Sequence, residues 1–165
     1  MTLIGAGANT ILSERLVIAV SVGSRSGHAR ATFRASLCTD VVRHEQWIDT
    51  ALRRAKTSRF WPYKMACVVV KGGKVISSGT NKPALAAPKD SRYNLGQGIH
   101  AELAAVLKAN TSLRGCTAYI AGWTKGNNLV CSKPCDLCYT VLKEAGIKIA
   151  YYHNSERQVC SIKVI

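Results

Sequence analysis

The chain has 165 residues, 47% of them hydrophobic, with a formal net charge of +14 and an isoelectric point near 9.8. That length suits one domain with a sizeable core, and no apolar run approaches the roughly 20 residues that a bilayer crossing needs. A surplus of this size favours an anionic partner, either a nucleotide phosphate or a nucleic-acid backbone, and charge alone does not separate the two.

Residues 1–43 differ in composition from the rest: they are rich in Ala, Ser, Thr and Gly, and their five basic residues are all arginine. This resembles an organellar transit peptide, although Glu14 and Asp40 weaken the match. The expectation is a poorly ordered or accessory N-terminal extension over 1–43, with low order from Ser21 to Ser36. Residues 44–165 form the expected folded domain, and their 18 basic and 7 acidic groups leave a net of +11.

Trp47, Ile48, Ala51, Leu52 and Ala55 recur at helical spacing, which predicts an amphipathic helix over 44–57. Ala66–Val70 reads as a strand, Gly72-Gly73 as a tight turn and Val75–Gly79 as the returning strand of a hairpin. A long loop follows from Asn81 to Gly98, of the kind that is usually functional. Residues 101–109 are strong helix formers, Cys116–Trp123 reads as a strand, and Gly126-Asn127-Asn128 as a turn. Pro134 suits the first turn of a helix that continues through 135–145 and stops at Gly146. Ile147–Tyr152 is a fourth strand and Val159–Ile165 a candidate fifth. This order predicts a three-layer α/β/α sandwich around a mixed central sheet, an antiparallel hairpin followed by right-handed parallel crossovers.

Chemistry concentrates in His100-Ala101-Glu102 and Pro134-Cys135-Asp136-Leu137-Cys138. One imidazole and two thiols can fill three of the four tetrahedral positions around Zn2+, leaving the fourth for water. Cysteines three apart on a helix share a face, so both sulfurs can reach one ion. Cys131 is the one residue able to close the site as a structural Cys3His centre, but the Lys133-Pro134 approach should carry it away. Cys38, Cys67, Cys116 and Cys160 read as ordinary thiols, with Cys67 and Cys116 in the core. Seven cysteines, two of them in a metal pair, favour a reducing compartment and a cytoplasmic location. His28, His44 and His153 read as surface or packing residues.

The H-x-E…P-C-x-x-C pattern is the signature of the zinc-dependent nucleobase deaminases. On these residues the chain resembles the cytidine and deoxycytidylate deaminase superfamily over roughly 44–154, and that superfamily has the same three-layer frame. The resemblance implies zinc ligands His100, Cys135 and Cys138. It also implies that Glu102 takes a proton from zinc-activated water and returns protons to the ring nitrogen and the departing amine. By the same resemblance Asn81, in Gly79-Thr80-Asn81, and the backbone at Ala101 would bind substrate. Lys82, Lys89 and Arg92 would flank the pocket mouth, and Tyr93 and Tyr139 are candidates to stack on a base.

Lys133 stands where tRNA adenosine deaminases usually have Glu, and Asp136-Leu137 where they have an apolar pair, which counts against adenosine. The hairpin around Gly72-Gly73 and the Glu144–Lys148 segment resemble the small deoxycytidylate deaminases, so the expected substrate is a small pyrimidine nucleotide, dCMP foremost. Two alternatives stand beside it. One is a deaminase acting on cytosine in single-stranded DNA or RNA, or on adenosine in tRNA. The other is a non-catalytic, zinc-stabilised nucleic-acid-binding module. Members of the superfamily are commonly homo-oligomers, and no membrane partner is expected.

Overall fold

The computed structural model describes residues 43–60, 62–83 and 98–165 in full, together with the backbone of helix residues 30–42. Among these residues the helices are α1 (Arg30–Ala55), α2 (Ala101–Leu107) and α3 (Asp136–Glu144). The strands are β1 (Tyr63–Lys71), β2 (Lys74–Thr80), β3 (Thr117–Thr124), β4 (Ile149–His153) and β5 (Val159–Lys163). The five strands make one sheet in the order β2-β1-β3-β4-β5. No helix among the described residues is long and apolar enough to cross a membrane.

Period-2 alternation along the strands sorts the core into two layers. Val68 and Val70 of β1, with Tyr119 and Ala121 of β3, pack against Ile48 and Ala51 of α1. The residues between them, Cys67, Val69, Ala118 and Ile120, face Ala101 and Ala105 of α2 and Leu142 of α3. One helix therefore covers one face of the sheet and two helices cover the other, as the three-layer expectation required. Cys67 and Cys116 are both fully buried, as expected of core thiols.

The strand directions follow the expected order of an antiparallel hairpin and then parallel connections, from β2 through α2 to β3 and from β3 through α3 to β4. β1 pairs antiparallel with both β2 and β3, so β2 and β3 run the same way with β1 inserted between them. Only β3 and β4, joined through α3, form an adjacent parallel pair. β5 returns antiparallel to β4, because the link from Asn154 to Gln158 is short enough for a hairpin but not for a crossover. Within that link the Asn154 side-chain oxygen accepts the backbone N–H groups of Glu156 and Gln158.

Helix boundaries shift from expectation. The first helix begins at Arg30 rather than near 44, so the division drawn at residue 43 falls inside a continuous helix. Its opening residues include Arg30 to Ser36, the end of the segment expected to have low order; the remainder of that segment lies outside the described residues. Pro134 does not enter α3: the helix starts at Asp136, with Cys135 as its N-cap. Gly146 ends α3 as expected, with a positive φ of 79°. Gly72 and Gly73, at φ 55° and 73°, supply the tight turn between β1 and β2.

One close approach positions the site. A Cβ on Gly79 would lie 2.7 Å from the Ala101 carbonyl oxygen and 2.6 Å from the Ala104 carbonyl carbon, and would overlap the Ala105 nitrogen. β2 thus lies directly on the backbone of α2, and the Ser77 hydroxyl reinforces the contact by donating to the Ala105 carbonyl at 2.6 Å.

Candidate zinc-dependent active site

His100 and Cys135 occupy equivalent places. Each is the N-cap of its helix with extended backbone angles, φ −70° and ψ 155° for His100 and φ −71° and ψ 167° for Cys135. An N-cap side chain ordinarily folds back to accept a helix N–H. Neither does so here. Both instead point at a common spot, where His100 Nδ1 lies 3.3 Å from Cys138 Sγ and 3.6 Å from Cys135 Sγ.

That geometry can be tested against zinc. Bonds of about 2.3 Å to sulfur and about 2.0–2.1 Å to nitrogen, at a tetrahedral angle, put N and S roughly 3.5 Å apart. The observed separations bracket this value, and the three ligand atoms lie within 4.8 Å of one another. Electrostatics point the same way. Burial, with Glu102 and Cys135 adding repulsion, pushes the Cys138 thiol far above its ordinary range. A thiolate here therefore requires a cation beside it. Cys131 is exposed and lies outside the ligand group, so three protein ligands converge and the closed Cys3His arrangement is not formed.

Glu102 sits in the first turn of α2 and is only 6% exposed. Burial raises its carboxyl above the usual carboxylate range, while its own backbone N–H, His100 and Cys138 pull the other way. Cys67 of β1 feels this carboxylate from below; its thiol is pushed well up by burial and by Glu102. A carboxyl so placed, beside the ligand group, can exchange a proton with a molecule held there.

His100, Ala101, Glu102 and Cys135 line a cleft of about 200 Å³ together with Asn81, Lys82, Ile99, Ser132 and Lys133. Phe60, Tyr63 and Met65 complete its wall. The sequence-derived residues His100, Glu102, Cys135, Cys138, Asn81 and Ala101 are thus gathered in one place, with Cys138 buried behind Cys135. Asn81 is buried and held by β1: its Oδ1 accepts the Met65 N–H at 2.8 Å, and its Nδ2 donates to the Tyr63 carbonyl at 2.7 Å. Tyr139 is not in the cleft; its hydroxyl donates toward the Lys163 and Val164 carbonyls, tying α3 to the chain end. Lys89, Arg92, Tyr93, His28 and the Cys38 side chain lie outside the described residues.

The cleft residues beyond the motif left different traces in the sequence. Ile99 and Lys133 are chain neighbours of motif residues. Ser132 is recognisable only in three dimensions: its hydroxyl donates to the Ile120 carbonyl at 2.7 Å and accepts the His153 N–H at 2.9 Å. These bonds pin the segment leading to Cys135 against the middle of β3 and the last residue of β4. Phe60 and Tyr63 belong to an aromatic and basic run between α1 and β1, Arg59-Phe60-Trp61-Pro62-Tyr63-Lys64, which was the available signal.

Comparison with known proteins agrees with this geometry. The family model of the cytidine and deoxycytidylate deaminase zinc-binding region matches residues 41–154. The apo dCMP deaminase of cyanophage S-TIM5 superposes with a TM-score of 0.52 at 25% identity, covering 67% of this chain and 82% of that one. The cytidine deaminase of Burkholderia pseudomallei gives a TM-score of 0.52 at 19% identity, covering 73% of this chain and 92% of that one, a likeness of fold. No curated protein sequence matches the chain. With a matching family model over residues 41–154 and a His/Cys/Cys group spaced for the metal, the chain belongs to the cytidine and deoxycytidylate deaminase family and is a zinc-dependent deaminase.

Proposed function

We propose that the substrate is a cytosine mononucleotide, dCMP foremost, hydrolysed to dUMP and ammonia. The observation that carries this reading is the charge of the cleft. Lys82 and Lys133, both exposed, line the same opening as Glu102, and among the described residues no other acidic side chain lines it. Two cations at the mouth of a cleft with a buried carboxyl suit a ligand with an anionic end outside and a neutral ring inside. The likeness to a dCMP deaminase adds support.

On this reading His100, Cys135 and Cys138 hold zinc, which when bound supplies the Lewis acidity that makes water nucleophilic near neutral pH. Glu102 takes one proton from the attacking water and delivers it to the ring nitrogen. It then takes the second from the hydroxyl now on the ring carbon and gives it to the departing amine, so that the C–N bond breaks, ammonia leaves and a carbonyl remains. The raised proton affinity of Glu102 suits a group that must hold a proton between those steps. The N–H of Ala101, at the first position of α2, is among the helix donors without an intrahelical acceptor and is assigned to the pyrimidine edge. Asn81 is assigned to the sugar or base, Phe60 and Tyr63 to the apolar faces, and Lys82 and Lys133 to the phosphate.

The test is ammonia release from the zinc-loaded chain with cytidine, deoxycytidine, dCMP, single-stranded DNA and an adenosine-containing tRNA hairpin. Turnover of dCMP well above deoxycytidine supports the proposal. Turnover of single-stranded DNA or of the tRNA hairpin in preference to dCMP overturns it and makes the basic surface a backbone track. Lys133→Glu should raise KM for dCMP about tenfold or more, by putting a repulsive charge at the phosphate, and should leave kcat nearly unchanged.

A further inference from the structure

Ser58 lies in the turn after α1, outside either half of the motif, and is only 4% exposed. Its hydroxyl donates to Asn81 Oδ1 at 2.7 Å, stands 3.0 Å from the Asn81 carbonyl, and accepts the Phe60 N–H at 3.1 Å. One buried side chain thus touches two residues that line the cleft.

These contacts fix the direction of the Asn81 amide. A backbone N–H can only donate, so the Met65 N–H identifies the oxygen; a carbonyl can only accept, so the Tyr63 carbonyl identifies the nitrogen. With Ser58 on one lone pair and Met65 on the other, Oδ1 is saturated. Nδ2 spends one hydrogen on Tyr63 and retains one. Asn81 can therefore offer a ligand a single donor and no acceptor.

We propose that Ser58 is a positioning residue of the cleft, holding Asn81 as a one-hydrogen donor and seating Phe60 on the same wall. The group that Asn81 meets must then be an acceptor, a sugar hydroxyl oxygen or a pyrimidine carbonyl oxygen, and not an exocyclic amine. This assignment rests on the nucleotide reading above for its probe, dCMP.

The test uses the zinc-loaded full chain and the variants Ser58→Ala and Ser58→Thr. Ser58→Ala should raise KM for dCMP about tenfold, the loss of one buried hydrogen bond, with kcat within about threefold. Ser58→Thr, which keeps the hydroxyl, should restore KM. Zinc content and melting temperature, measured alongside, separate this from a folding defect. An unchanged KM in Ser58→Ala, or a KM not restored by Thr, overturns the proposal.

Absence of dCMP turnover in the unmodified chain would sink the nucleotide reading instead, and the side-chain amide signals of Asn81 then decide the role of Ser58. These signals are assigned by their loss in Asn81→Asp. The unmodified chain and Ser58→Thr should show two separate amide protons, one slow to exchange with solvent. Ser58→Ala should speed that exchange, and identical spectra overturn the proposal.

Discussion

The two faces of the sheet each hold a histidine at a junction of buried groups, and their neighbours give the two opposite chemistry. On the α2/α3 face, His100 Nδ1 faces two sulfurs. On the α1 face, His44 Nδ1 lies 2.8 Å from the Tyr119 hydroxyl and Nε2 lies 2.9 Å from that of Tyr151. The His44 ring also stacks on Tyr151 with centroids 4.0 Å apart. Burial, with Tyr151 adding to it, holds the Tyr119 hydroxyl well above the ordinary tyrosine range, so that hydroxyl stays protonated. Both ring nitrogens of His44 are occupied by tyrosine hydroxyls within the chain, whereas His100 points Nδ1 at two cysteine sulfurs in a group that could hold a metal ion. On the α1 face these groups satisfy one another within the chain, and on the α2/α3 face they are poised for a ligand.

The comparison breaks most sharply at the metal ligands. Cys138→Ser should cut zinc from about one per chain to below about a tenth and abolish deamination, because a buried hydroxyl is a poor zinc ligand; elemental analysis and an ammonia assay check this. Full zinc retention in this variant would show that the three-ligand group is not the metal site. Glu102→Gln should keep its zinc and lose roughly 10²–10⁴-fold in kcat, the range for removing a positioned acid–base group. Activity within tenfold of the unmodified chain would assign the proton transfers elsewhere.

On the opposite face the effects should appear in stability, not chemistry. Tyr119→Phe leaves a His44 nitrogen without its hydroxyl partner and should cost about 1–2 kcal/mol in denaturant unfolding, with zinc content unchanged. A drop in zinc content would mean that the two faces are coupled.

His153 provides the smallest effect. It is buried, its Nδ1 has no partner in the described structure, and burial lowers its proton affinity while Asp49 partly offsets that. The unfolded chain, with an ordinary His value of about 6.5, binds the proton more readily. Stability from the neutral imidazole is therefore present above that value and is lost as pH falls below it toward the lowered folded value. His153→Gln should lessen the decline in melting temperature between pH 7 and pH 5. An undiminished decline would show that other groups set the acid limit.

Legibility from sequence followed the range of the interaction. The β1–β2 hairpin was readable because Gly72-Gly73 sits between two apolar runs and the register follows locally. The His100, Cys135 and Cys138 group was readable because each half of the motif is contiguous and lies at a helix start. The direction of the candidate fifth strand was not, since it depends on how the five residues after His153 fold back. Nor was the pairing of His44 with Tyr119 and Tyr151, which lie 75 and 107 residues away. From sequence, His44 reads only as a surface or packing residue.

The sequence by itself determined the ligand types, their spacing and the alternation that sorts the strands' two faces, because these depend on residue chemistry and on periods of two and three to four residues. Tertiary structure alone decided that Cys131 stays out of the ligand group, that Lys82 and Lys133 line one cleft, and that Ser58 saturates the Asn81 oxygen. Each of these depends on distances between segments far apart in the chain, which are set only when β2 closes onto α2 and the segment before Cys135 is pinned by Ser132.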